Sequence, residues 1–230
     1  MVPKVMIILG SASDIEIAKK AMCLLEELEI RYSLKIASAH RTHYLVKNLV
    51  IQGTKEGVEV FIGIAGLAAH LPGTIAAYTH RPVIGVPVDV KLDGLDALCA
   101  SVQMPYPAPV ATVGIDRGDN AAILAGQIIG INDENIRNNI SKVRRSYRKQ
   151  VIKSEIEALK TIEGKFIDKR FLSDSCLETE EDHKDVKKSE TKSDVSIIVG
   201  SYSDMLTAKK VIVILDKLKI NQLPDRKSVV

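Results

Sequence analysis

A histidine beside an arginine is the pairing in this sequence best suited to proton transfer. His40 precedes Arg41 in the run Ser38-Ala-His-Arg-Thr42. Histidine exchanges protons readily near neutral pH, and the planar arginine side chain binds phosphate in a forked geometry. The pair predicts general acid–base chemistry on a phosphorylated substrate. A surface turn with an incidental histidine is the competing interpretation.

A second run of interest is Gly10-Ser-Ala-Ser-Asp14, which follows the first apolar segment of the chain. Serine hydroxyls and free backbone amides at a helix start form an anion site that suits phosphate. The Asp14 carboxylate could accept hydrogen bonds from ribose hydroxyls. The same run is also typical of a well-capped helix start, so by itself it leaves both interpretations open.

The third run, Ala65-Gly-Leu-Ala-Ala-His-Leu-Pro-Gly73, is rich in small residues. Small side chains let backbone amides approach a ligand closely and leave an apolar, dry surface. His70 lies in this run, where a core or helix-start histidine is the competing interpretation. Three such runs in one small domain favour a shared site over three coincidences.

The elements that must position these runs follow from hydrophobic patterning. Continuous apolar segments alternate with amphipathic ones between residues 5 and 131, which predicts a parallel, doubly wound α/β sheet with three α/β/α layers. In such sheets ligands bind beyond the carboxyl ends of the strands, where the three runs lie. Strands are predicted at about 5–9, 34–37, 58–64, 83–86 and 110–115, with helices through 17–28, 43–53, 73–79, 94–102, 119–130 and from Asn132 or Asp133 to about 159.

The remainder of the chain divides into a linker and a repeat. Residues 1–160 are predicted to form the catalytic domain, and 161–193 a charged linker with the composition of a disordered segment. Residues 194–230 then repeat the opening of the chain at an offset of 190, with 12 identities in the 24 positions of 7–30. We interpret this as an incomplete second copy of the domain.

Composition excludes several classes of protein. A formal charge of +3, 4% aromatic residues and no tryptophan disfavour nucleic acid as a partner, and the basic stretch 142–149 is expected to be a solvated helix face. The sequence has no apolar run of the ~18 residues that span a membrane and no signal-peptide pattern, so a cytoplasmic location is predicted. No metal-ligand spacing is present, and Cys23 and Cys99 are expected to be small core residues.

In order along the chain, the motifs resemble those of the PurE family of purine biosynthesis. The resemblance covers about 4–155, and it includes Pro82-Val-Ile-Gly-Val-Pro87, Gly94-Leu-Asp-Ala-Leu98 and Val102-Gln-Met-Pro105 beside the three runs above. It implies a flavodoxin-like fold, a small ribonucleotide and carbon dioxide as reactants, no metal or organic cofactor, and a homo-oligomer, usually an octamer.

The resemblance also implies a role for each site residue. His40 would be the acid–base group, Ser11 and Arg41 would bind the phosphate, and Asp14 the ribose. The pocket would be lined by the remaining four, Ser38, Ala65, Gly66 and His70. Lys91 and Asp93 lie on a polar loop that could rim the site, although a solvated loop is the better interpretation.

Two activities are implied, and both form 4-carboxy-5-aminoimidazole ribonucleotide. A mutase moves the carboxyl group from the exocyclic nitrogen to ring carbon 4, whereas a carboxylase adds carbon dioxide directly. His70 is retained, which favours the mutase, but Leu67 stands where bacterial mutases tend to have glycine, so the carboxylase remains the alternative. The rival classes are a non-catalytic nucleotide-sensing module and a scaffold that oligomerises through the repeat.

Overall fold

A computed structural model of the chain describes residues 2–161, 195, 197 and 205–220. The chain forms two compact units, Met1–Gly164 and Lys165–Val230. The first unit holds five strands, β1 (Val5–Leu9), β2 (Tyr32–Ile36), β3 (Val60–Gly66), β4 (Val83–Val88) and β5 (Ala111–Thr112). Its helices are α1 (Ile15–Glu27), α2 (His43–Glu56), α3 (Leu71–Ala76), α4 (Leu95–Val102), α5 (Gly118–Gly130) and α6 (Glu134–Thr161).

The five strands form one parallel sheet in the order β2-β1-β3-β4-β5. This is the flavodoxin-like order, in which the chain runs outward from β1 in one direction and then reverses. The reversal places β1 between β2 and β3, with Leu9 opposite both Ile36 and Ile64. The predicted fold is therefore confirmed.

Alternate residues of the strands enter two separate cores. In β1, Val5, Ile7 and Leu9 pack with α1, α5 and α6, whereas Met6 and Ile8 pack with α2, α3 and α4. Because both faces are covered by helices, every residue of β1 is buried, as the continuous apolar run predicted. The result is a three-layer α/β/α unit.

Several element boundaries differ from the predicted ones, most of all at β5, β3 and α3. β5 is only two residues long rather than six, although the amides of Val113 and Asp116 still donate to carbonyls of β4. β3 extends through Gly66, because its last residues pair with β4, and α3 begins at Leu71 with Pro72 in its first turn. The third run is therefore part strand and part helix, with only residues 67–70 as a loop.

The prediction that Cys23 and Cys99 are core residues is wrong, since both are exposed. On α1 the buried face is formed by Ala18, Ala21, Leu24 and Leu25, and Cys23 lies on the opposite side. Residues adjacent in an amphipathic helix point in different directions, so apolar sequence neighbours did not imply apolar surroundings. The third cysteine, Cys176, lies outside the described residues.

The repeated sequence produces a repeated local structure. In the second unit, α7 (Met205–Lys217) corresponds residue for residue to α1 at the offset of 190. Both helices end in the same way, with Glu29 and Lys219 in the left-handed region at φ 60° and 55°. The amides of Ile30 and Ile220 each donate to the leucine carbonyl five residues earlier, at 2.8 and 3.0 Å. The predicted linker lies outside the described residues except for Thr161, and the predicted domain limits remain a prediction.

Helix α6 carries the basic stretch predicted to be solvated. Asp133 caps its start, accepting a hydrogen bond from the Ile136 amide at 3.3 Å. Between 142 and 149, Lys142, Arg144, Arg148 and Lys149 are exposed, whereas Val143 is buried and Arg145 is half-buried. None of the helices in the described part of the chain is both long and apolar enough to cross a membrane.

Candidate active site

Three loops meet at the carboxyl edge of the sheet because the strands before them are neighbours. The loop after β1 lies between the loops after β2 and β3. Hydrogen bonds just past the strand ends hold them in register, from the Gly10 amide to the Ile64 carbonyl at 3.0 Å and from the Ala37 amide to the Leu9 carbonyl at 2.9 Å. The candidate residues of all three runs therefore lie at the crevice where this fold binds ligands.

The loop after β2 is closed on itself by Thr42. The Thr42 hydroxyl accepts from the Ser38 amide at 2.9 Å and donates to the Ser38 carbonyl at 3.2 Å. The Ser38 hydroxyl in turn accepts from the backbone amide and Nε of Arg41, each at 3.3 Å. This ring of bonds places His40 and Arg41 at the exposed tip of a fixed turn.

Arg41 reaches from this turn to the loop after β1, where its Nη2 donates to the Gly10 carbonyl at 3.3 Å. Its described partners are thus a hydroxyl and a carbonyl. No Asp or Glu among the described residues is within ion-pairing distance of it. An arginine held by neutral acceptors keeps its charge available for an anion such as phosphate.

His40 contacts His70 across the edge of the sheet. The Nε2 atom of His40 lies 2.6 Å from Nδ1 of His70, and the ring centroids are 4.7 Å apart with the planes tilted by 53°. Both side chains are exposed, so a substrate can reach them. The structure thereby brings together the two histidines that the sequence placed on separate loops.

The loop after β1 forms a short 3-10 helix, Ala12–Asp14, capped by Ser11. The Ser11 hydroxyl oxygen accepts from the Ser13 amide at 3.3 Å, and the Ser13 hydroxyl donates to Asp14 at 2.9 Å. Ser11 is half-buried and can still donate its own hydrogen to an anion. Asp14, by contrast, is only 6% exposed. Its carboxylate is therefore more enclosed than a surface loop would suggest.

The loop after β3 is strained. Leu67 and Ala69 adopt φ values of 56° and 34°, in the left-handed region that side chains other than glycine avoid at a cost of about 1–2 kcal/mol each. Leu67 is nonetheless half exposed beside His70. Non-glycine residues in such conformations cluster at functional sites, where the surroundings hold them in place.

Ala65 and Gly66 are the last two residues of β3. Ala65 is buried in the core on the α2–α4 side, and Gly66 is half-buried at the end of β3. A side chain on Gly66 would overlap Val90, which follows β4. Glycine here lets the loop after β4 approach the end of β3 closely.

Two residues that shape this edge escaped the sequence analysis. Thr42 belongs to the run Ser38-Ala-His-Arg-Thr42, but its residue type alone does not show that it closes the turn by hydrogen bonds to Ser38, four residues earlier. Asp116 follows β5 at φ 58° and accepts from the Asp89 amide at 3.1 Å, which ties together the loops after β4 and β5. An Asp two residues before a glycine after a strand is a turn signal that could have identified it.

The remaining candidates are exposed and take no part in the contacts of His40 and Arg41 described above. Lys91 and Asp93 are exposed, as expected of a solvated loop. His43 and His80 are exposed too, and His43 packs edge-on against Tyr44. In the described ranges, no three His, Cys, Asp or Glu side chains are grouped so that they could hold a metal ion.

Burial raises the pKa of the Asp14 carboxyl above its usual 3.8, and the nearby negative charge of Asp116 adds to this rise. Hydrogen bonds to the carboxyl from Ser13 and from the backbone at Ser11 lower the pKa and so oppose the shift. The folded state therefore binds this proton more tightly than the unfolded state, and stability is lost as pH rises from 3.8 through the raised pKa. We expect Asp14→Asn to gain stability relative to wild type over that range. Urea unfolding at several pH values between about 4 and 7 measures the difference.

The exposed Asp93 provides the matched control, because Asp93→Asn removes a carboxylate that pays no comparable desolvation cost. Its free energy of unfolding relative to wild type should vary less with pH than that of Asp14→Asn. A stability difference for Asp14→Asn that stays constant across the pH range would contradict the assignment of a buried, destabilised carboxylate.

The chain is similar to known proteins in sequence as well as in fold. The profile of the AIR carboxylase family matches residues 4–150. A protein of Methanobrevibacter smithii named "Probable N5-carboxyaminoimidazole ribonucleotide mutase" is 61% identical over 222 residues, which is 96% of this chain and 66% of that protein. The chain thus spans just under two thirds of the length of that relative.

Two further relatives match over most of their own length. The N5-carboxyaminoimidazole ribonucleotide mutase of Methanocaldococcus jannaschii is 54% identical over 149 residues, 65% of this chain and 93% of that protein. A crystal structure of Treponema denticola PurE aligns with a TM-score of 0.59 and 27% identity, over 66% of this chain and 96% of that one. The chain belongs to the AIR carboxylase family, the PurE family that its ordered motifs predicted.

Proposed function

We propose that the chain forms 4-carboxy-5-aminoimidazole ribonucleotide by moving a carboxyl group from the exocyclic nitrogen of the N-carboxy isomer to ring carbon 4. The observation that carries the proposal is the cluster at the carboxyl edge of β1, β2 and β3. There a paired, accessible imidazole lies beside an arginine with no acidic partner in the described part of the chain. The names of the two archaeal relatives support the same activity.

The reaction needs one proton to move and no external energy source. When the N-carboxy bond breaks, carbon dioxide leaves and the exocyclic nitrogen takes a proton. Ring carbon 4, which is electron-rich, then attacks the carbon dioxide and loses its own proton. A single imidazole can donate the first proton and accept the second, so His40 ends the cycle in the state in which it began.

The other residues position the ring and exclude water. Arg41 and Ser11 would hold the phosphate, since a cation and a capping hydroxyl converge between the first two loops. Asp14 would accept from ribose hydroxyls. Binding a remote phosphate fixes the orientation of the reacting ring, and the apolar side chain of Leu67 at the rim would keep carbon dioxide from bulk water.

Direct carboxylation by free carbon dioxide is the second candidate. The observation that favours it is Leu67, because a bulky side chain at φ 56° changes the wall against which carbon dioxide would lie. The two activities share every residue assigned above. They differ in whether carbon dioxide is generated within the site or captured from solution.

Supplying each substrate without ATP separates these activities. We expect the purified chain to form the 4-carboxy product from the N-carboxy isomer faster than from 5-aminoimidazole ribonucleotide with bicarbonate, measured by product absorbance. Product from the second mixture alone would identify a carboxylase. Ribonucleotide binding with no product from either mixture would instead indicate a nucleotide-sensing module and overturn the proposal.

Replacing the acid–base group tests its role in the same assay. His40→Asn should lower kcat by about 10²- to 10⁴-fold, the usual contribution of general acid–base catalysis, and leave ribonucleotide binding largely intact. His43→Asn is the matched control, since His43 is an exposed histidine three residues away, and it should keep near-wild-type activity. Full activity in His40→Asn would exclude this histidine as the proton carrier.

We further propose that the chain acts in the cytoplasm and as a homo-oligomer, for which an octamer is the form that the family resemblance suggests. Two exposed, unpaired thiols fit a reducing compartment. Exposed apolar residues on α4 and just before it support association: Leu92, which precedes the helix, is 73% exposed, and Leu95 and Val102 on the helix are 56% and 54% exposed, with Cys99 between these two. Contiguous exposed apolar residues are typical of protein interfaces.

Sedimentation velocity tests the role of these exposed apolar residues. Leu95→Asp places a charge among them and should shift the chain toward smaller species, because an unpaired charge in an apolar interface is costly. Ile131→Asp, at an exposed apolar position after α5, is the control and should sediment like wild type. An unchanged distribution in Leu95→Asp would remove α4 from the interface.

A further inference from the structure

The contact between His40 and His70 restricts which nitrogen of His40 is free. Nε2 of His40 lies 2.6 Å from Nδ1 of His70, a hydrogen-bond distance. Two bare nitrogens or two N–H groups would repel at this distance, so one hydrogen lies between the rings. The ring nitrogen of His40 that remains for a substrate is Nδ1.

Only one arrangement of that hydrogen leaves His40 able to act as a base. If His70 donated from Nδ1, a neutral His40 would carry its own hydrogen on Nδ1 and present a donor to the substrate. If His40 donates from Nε2, its Nδ1 has a free lone pair. The second arrangement also survives proton uptake, because an imidazolium keeps the Nε2 hydrogen in place.

We propose that His70 is a positioning residue that accepts the Nε2 hydrogen of His40 through Nδ1 and thereby makes Nδ1 of His40 the atom that exchanges the substrate proton. This inference rests on the proposed function. His70 plays the part of the third group that orients a catalytic base, here a neutral ring in place of a carboxylate. Nδ1 of His40 gives its proton to the exocyclic nitrogen as the N-carboxy bond breaks, and then takes the proton that ring carbon 4 loses after it attacks carbon dioxide.

The local structure holds His70 in place for this role. It is the residue before α3, and its carbonyl accepts from the Thr74 amide and hydroxyl, each at 2.9 Å. The strained turn at Leu67 and Ala69 leads directly into it. On the other side, the ring of bonds between Ser38 and Thr42 fixes the turn that carries His40.

Two substitutions at position 70 test whether His70 acts as a hydrogen-bond acceptor or only fills space next to His40. Asparagine places an amide oxygen near the position of Nδ1, so His70→Asn should stay within about 10-fold of wild-type kcat. His70→Leu keeps the bulk and removes the acceptor, and it should lose about 10- to 100-fold in kcat with KM changed less than 3-fold, a fraction of the full acid–base contribution. His80→Leu, at an exposed histidine outside the cluster, should behave like wild type.

Nitrogen-15 NMR of the imidazole rings provides a readout that a purely structural role would not change. Unprotonated and protonated ring nitrogens have different nitrogen-15 chemical shifts. The signals that are missing from the spectrum of His40→Asn are assigned to His40. We expect the Nε2–H tautomer of His40 in wild type and in His70→Asn, and a mixture of tautomers in His70→Leu. If His70→Leu does not fold, the tautomer of His40 in the wild-type protein tests the inference by itself. An Nδ1–H form of His40 there would overturn the inference.

These outcomes distinguish this inference from the proposed function. Absence of turnover in wild type would refute the function itself, whatever the tautomer. Wild-type turnover that is lost in His40→Asn but fully retained in His70→Leu would leave the function intact and refute the positioning role of His70.

Discussion

The site depends on one constraint of parallel sheets, which is that every strand ends at the same edge. Because β1 lies between β2 and β3, three loops far apart in sequence become neighbours. Two contacts then join them, from Arg41 to the Gly10 carbonyl and from His40 to His70. Each joins loops that follow different strands, so neither could form if the strand order changed.

Precise placement of these loops requires a rigid support. Both faces of the sheet are covered by helices, and β1, β3 and β4 are buried almost throughout. At the carboxyl edge, by contrast, Asp14 is buried and Leu67 and Ala69 are held in the left-handed region. The buried core stabilises the fold, and this stability offsets the cost of the strained and buried polar residues at the carboxyl edge.

Much of this could be predicted from sequence, because the informative patterns are local. Continuous apolar runs identified β1, β3 and β4, and the meeting of the three loops after β1, β2 and β3 followed from the parallel arrangement. The repeat at an offset of 190 is interpreted as an incomplete second copy of the domain, and α7 corresponds to α1 at that offset. Motif order identified the family.

Features that depend on three-dimensional neighbours were not predictable. His40 and His70 are separated by 30 residues, and only the strand order brings them into contact. Cys23 was misplaced because its burial depends on which side of α1 faces the sheet. The end of β3 was misplaced because its pairing with β4 extends through Gly66, which sequence patterning does not reveal.

A crystal structure of the chain with the 4-carboxy ribonucleotide bound would show whether this edge of the sheet holds the substrate. We expect the phosphate between Ser11 and Arg41, with Nδ1 of His40 within about 3.5 Å of ring carbon 4 or the exocyclic nitrogen, as proton transfer requires. A nucleotide bound away from the β1–β3 edge, or with His40 turned from the ring, would contradict this expectation.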